Sequence, residues 1–118
     1  MADTPADLAA RTVQAVKPSP KWERVEVATA QKDMYSIYIW YRQRPAGFAE
    51  VERDTKAVAR AMLKTLVDAG QKPAEDWISV FVRGGEKVTG ETGRPLSRVF
   101  GRTMYDFNND SLTFRRGN

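Results

Sequence analysis

The stretch YDFNNDSLTF, residues 105–114, places Asp106, Asn108 and Asp110 at every second position. Oxygen-bearing side chains at that spacing open a calcium-binding loop, where they fill positions one, three and five. The rest of the template is missing. Position six is Ser111 where the sharp turn wants Gly, and position twelve is Gly117 where a bidentate Glu is needed. The flanks TMYDF and SLTF are strand-like, whereas a calcium loop of this kind lies between helices. Asn108 and Asn109 tolerate the left-handed backbone of tight hairpin turns, and Asp110 can bond local backbone N–H groups. The stretch is therefore expected to be a turn that sets the register of two strands.

A second stretch, GEKVTGET at 85–92, has both glycines and the final Thr of a phosphate-binding loop. Glu91 stands where that motif needs Lys, and a carboxylate there repels phosphate; Pro95 follows where the motif's helix should run. The glycine-rich segment GGEKVTGETGRP is read instead as a flexible connection between strands.

The chain has no Cys and no His. This removes thiol nucleophiles, Cys/His zinc sites, Ser-His-Asp triads and imidazole acid–base chemistry. Catalysis would fall to carboxylates, of which Glu75, Asp76, Glu86, Glu91, Asp106 and Asp110 are the candidates. A glycosidase-like pair needs two carboxyls a defined distance apart across a cleft, and no pair stands out. No catalytic residue, cofactor site or metal site is predicted.

The elements that would position any site follow from local patterns. In TPAD, Thr4 is a helix N-cap, Pro5 suits the first helical position and Asp7 sits at N3, so a short helix over about residues 5–16 is expected. KPSPK then forms a stiff, extended connector. WERVEVA and MYSIYIWYR read as a hairpin. The second strand is apolar on both faces: Tyr35, Ile37, Ile39 and Tyr41 on one, Met34, Ser36, Tyr38 and Trp40 on the other. A long helix over about residues 50–69 carries an apolar stripe of Val51, Thr55, Val58, Met62, Leu66 and Ala69, and Gly70 and Pro73 mark its end. Its basic stripe of Arg53, Lys56, Arg60 and Lys64 should face solvent. WISVFVR is a third strand, LSRVFGRTMYDF is one strand or two with Gly101 a candidate bulge, and SLTFR is the last.

The sum is an α+β fold: a mostly antiparallel sheet of about five strands in the order β-β-α-β-β-β, with the long helix on one face and a short N-terminal helix. Residues 1–21 comprise the N-terminal helix and Pro-rich connector, and residues 22–118 a single domain. Hydrophobic content of 42% and charged content of 29% suit an ordinary globular chain. No apolar run is long enough to span a bilayer, and the cytoplasm is the default compartment; an exported chain with its signal removed would read the same.

Net charge is +4, and from Arg83 onward seven Lys/Arg face four acids, which puts +3 of that excess in the last third. The sheet face away from the long helix brings Tyr38, Trp40, Trp77 and Phe81 beside Arg42 and Arg83. Rings on such a face are a second core under the N-terminal helix, a contact with a protein partner or a second copy, or a stacking surface for nucleic acid aided by Arg98 and Arg102. The expectation is a non-enzymatic interaction module using this face with a protein partner or itself. The alternative is nucleic-acid binding by the same face, and after it a small carboxylate-dependent enzyme. The partner-binding candidates are Tyr38, Trp40, Arg42, Trp77, Phe81, Arg83, Arg98 and Arg102.

Overall fold

The computed structural model describes residues 3–29 and 31–117. The elements are α1 (Pro5–Ala15), β1 (Trp22–Ala28), β2 (Met34–Tyr41), α2 (Phe48–Asp68), β3 (Ser79–Thr89), β4 (Pro95–Asp106) and β5 (Ser111–Arg116). The five strands form one sheet in sequence order. All neighbouring pairs are antiparallel except β2 and β3, which are parallel. A parallel pair needs a long crossover, and α2 supplies it while covering one face of the sheet.

Period two in the strands and three-to-four in α2 meet along that covered face. Tyr35, Ile37, Ile39 and Tyr41 of β2, with Val80 and Val82 of β3, are buried against Val51, Val58, Met62 and Leu66 of α2. Each fully buried aliphatic side chain contributes about 1.5–3 kcal/mol through surface removed from water. At its exit α2 hands over to Gly70, whose φ of +87° is the left-handed conformation that ends helices.

The capping box of α1 forms as its sequence dictates. Asp7 N–H donates to Thr4 Oγ1 at 3.1 Å, and Thr4 N–H donates to the Asp7 carboxylate at 3.1 Å. The helix does not cover the aromatic sheet face. It packs on α2, with Leu8 fully buried in the core and Thr12 Oγ1 within 3.4 Å of Met62 Sδ. Leu8, Ala9 and Thr12 are its buried side, and α2 is the nearest apolar surface for them.

Two readings of the loops are corrected. The glycine-rich segment is not a flexible connection: β3 runs on to Thr89 and pairs with β4 from Pro95, which leaves only residues 90–94 as the hairpin turn. Glycine has low strand propensity, yet here its missing side chain makes room. A Cβ on Gly85 would strike the Arg98 carbonyl and come within 2.5 Å of the Tyr38 hydroxyl. The register shifts at this point, with Gly84 opposite Gly101 and Gly85 opposite Val99, so Phe100 is the bulged residue beside Gly101.

The turn at 107–110 does join β4 to β5, but its left-handed residue is Asp110, at φ 50°, rather than either asparagine. Asp106 accepts from Asn108 N–H at 2.9 Å and Asn109 Nδ2 at 2.6 Å, while Asp110 accepts from the Tyr105 hydroxyl at 2.6 Å. Both carboxylates hold the hairpin closed.

Candidate sheet-face binding site

Strand register decides which side chains share the face away from α2. Following partners across the sheet, Glu26 of β1 lies beside Tyr38 of β2, Tyr38 beside Arg83 of β3, Arg83 beside Arg102 of β4, and Arg102 beside Arg115 of β5. One line across the strands thus carries three consecutive arginines. With strands about 4.8 Å apart, the row is about 10 Å long.

Neighbouring lines add Trp40 opposite Arg24 on one side, and Phe81 opposite Met104 on the other. Tyr38, Trp40 and Phe81 are half-buried, and no helix lies over them among the described residues. Tyr38 and Trp40 stack with ring centroids 3.9 Å apart and planes at 16°. Lys87 Nζ sits 5.0 Å and the Arg24 guanidinium 5.5 Å from the Trp40 ring centroid, in cation–π range.

The charges of this face are unbalanced. Arg24 is paired with Glu26 at 2.5 Å, and that contact holds the Glu26 carboxyl below its usual range. Asp106 is engaged in the turn. Arg83, Lys87, Arg102 and Arg115 have no carboxylate within ion-pair distance among the described residues. Like charges directly opposite on neighbouring strands destabilise a sheet.

Hydrogen bonding shows the same incompleteness. Of the buried polar atoms on this face, Arg102 Nε has no hydrogen-bond partner among the described residues, while the Tyr38 hydroxyl has only Ser97 and Trp40 Nε1 only Glu26 nearby, neither in well-formed hydrogen-bond geometry. A buried unsatisfied polar group costs about 1–3 kcal/mol. Burial also pushes the Tyr38 hydroxyl pKa up.

Two open depressions lie next to each other along one side of the arginine row. The first, about 500 Å³, is bounded by Glu26, Ala28, Ser36, Tyr38 and Arg83. The second, about 350 Å³, is bounded by Phe81, Met104, Phe107, Thr113 and Arg115. No protein-family model, curated protein or solved structure matches the chain.

The sequence-derived candidates divide. Tyr38, Trp40, Phe81, Arg83 and Arg102 come together on the open face. Arg42 lies just past β2, where its Nε donates to the Trp22 carbonyl at 3.0 Å. Trp77 is not on the strand face: it precedes β3 at φ 54°, is 72% exposed, and stacks on Phe107 with centroids 6.4 Å apart. Arg98 points to the opposite face, being the partner of Glu86 in the register, and Glu86 also binds Arg44 at 2.9 Å. The bulge at Phe100 shifts the alternation between Arg98 and Arg102, which strict period-two counting places on one face.

Sequence reasoning passed over Arg115 and Asp54. Arg115 joins the row only through the pairing of β5 with β4. Asp54 is buried on α2 and accepts from Tyr41 Oη at 2.7 Å and Trp22 Nε1 at 3.3 Å, which ties the helix to the β1–β2 hairpin that carries Tyr38 and Trp40. Burial, with the bond to Asp54, drives the Tyr41 hydroxyl pKa far up. The available signal was its place beside Thr55 and three residues after Val51, within the apolar stripe.

Proposed function

We propose that the protein is a non-enzymatic binding module whose site is the open face of the sheet, and that the partner it takes there is anionic. The observation that carries this is the row Arg83–Arg102–Arg115, three adjacent guanidinium groups without a carboxylate partner among the described residues. An anion laid along the row would offset the like-charge repulsion between its guanidinium groups. A two-fold contact between two copies of this face would set one arginine row near another, so charge disfavours self-association through it.

Inorganic polyphosphate is a sufficient probe. Titration calorimetry in low salt should show binding that weakens steeply as salt is added, because each neutralised anion releases counterions. Arg102→Gln, which keeps a polar side chain but removes the charge from the centre of the row, should weaken binding about tenfold. Absence of binding at low salt, or an unchanged affinity in Arg102→Gln, overturns the proposal.

A further inference from the structure

Resting on that reading of the open face, we infer that its anionic partner is a single-stranded nucleic acid, held by two neighbouring base-stacking slots with the arginine row running alongside them. The inference comes from how rings and charges lie in adjacent lines across the sheet. In the first depression, Ser36 and Trp40 lie on opposite sides of Tyr38 along β2, so the Tyr38 ring has one face against Trp40 and the other toward the cavity. Its far wall is built from small residues, Ala28 and Ser36, which leaves a space of about 500 Å³ beside the ring.

The second depression repeats the arrangement, with Phe81 and Met104 as its apolar floor and Arg115 at its rim. Arg83 borders the first slot, Arg115 the second, and Arg102 stands between them in the register. Flat apolar groups alternating with anions along one chain are the chemistry of an unpaired polynucleotide, whose bases are free to stack on protein rings while arginines hold phosphates. An acidic protein surface offers the anions without the stacked rings, and a duplex keeps its bases stacked inside itself.

The test is fluorescence anisotropy of a labelled ten-nucleotide oligothymidine in low salt, with the full chain and with Phe81→Leu, Tyr38→Leu and Tyr38→Phe, each checked for folding by circular dichroism. Removing a ring while keeping apolar bulk should weaken oligonucleotide binding by about tenfold, given that stacking contributes on the order of 1–3 kcal/mol per base. Tyr38→Phe keeps the ring and should retain the affinity, and polyphosphate affinity should be the same in all four proteins. Phe81→Leu tests the second slot if Tyr38→Leu does not fold. Ring variants that bind the oligonucleotide like the parent, or polyglutamate that competes as well as the oligonucleotide, would overturn the nucleic-acid inference while leaving anion binding intact. Failure to bind either the oligonucleotide or polyphosphate would remove both.

Discussion

Arg83 of β3 and Arg102 of β4 are direct cross-strand partners on the open face of the sheet, and the Nε of Arg102 is buried without a hydrogen-bond partner among the described residues. Two cations so placed raise the free energy of the fold. Arg102→Leu should therefore stabilise the free protein by about 1 kcal/mol, or about 4 °C in Tm, through relief of repulsion and of an unsatisfied donor. Differential scanning calorimetry at low and high salt checks this. The gain should shrink at high salt, where repulsion between the parent's arginines is screened. A loss of stability in both conditions would show that the row is satisfied within the fold.

Asp54 accepts hydrogen bonds from two buried donors on different strands. Asp54→Ala leaves the Tyr41 hydroxyl and Trp22 indole N–H unpaired, and should cost about 3 kcal/mol in urea unfolding. Asp54→Asn retains an acceptor oxygen and should cost less than half as much. Equal losses in the two variants would mean that the negative charge, rather than the acceptor, is what the site needs.

Leu8 is wholly buried between α1 and α2. Leu8→Ala should cost about 2–5 kcal/mol through lost apolar burial and the cavity left behind, whereas Thr4→Ala should cost about 1 kcal/mol through loss of the cap. If α1 were dispensable, both substitutions would lie within about 0.5 kcal/mol of the parent.

All four tyrosines, Tyr35, Tyr38, Tyr41 and Tyr105, have hydroxyl pKa values raised above the ordinary 10, with burial as the first cause in each case. Tyr105, held also by Asp110, is pushed up to about 12. A raised folded-state pKa gives stability that is fully present below about pH 10, where tyrosine ionises in the unfolded chain, and that is lost as pH rises toward the folded value. Tyrosinate absorbance at 295 nm should therefore lag behind that of a model phenol, then rise together with loss of secondary structure. Tyr105→Phe should flatten the fall in stability between about pH 10 and 12. Four tyrosines that ionise near pH 10 in a folded chain would contradict the burial described above.

What the sequence determined by itself was the series of elements, because the signals are local. Thr4, Pro5 and Asp7 write a helix start within one turn of chain; the stripe from Val51 to Leu66 writes α2; and alternation in β1 and β5, with the aromatic and β-branched run of β2, writes strands. The turn at 107–110 was legible because two strand-like flanks and turn-forming residues lie within ten positions. Where pairing is remote, the local signal misled. Gly84 and Gly85 read as loop because strand propensity ignores neighbours whose bulk favours a glycine, here the Tyr41 ring at Gly84 and the Tyr38 hydroxyl and Arg98 carbonyl at Gly85. Only the tertiary structure decided the arginine row. Arg83, Arg102 and Arg115 are far apart in sequence, and they become one row because register, set by long-range hydrogen bonding and by the bulge at Phe100, aligns them on one face and turns Arg98 to the other.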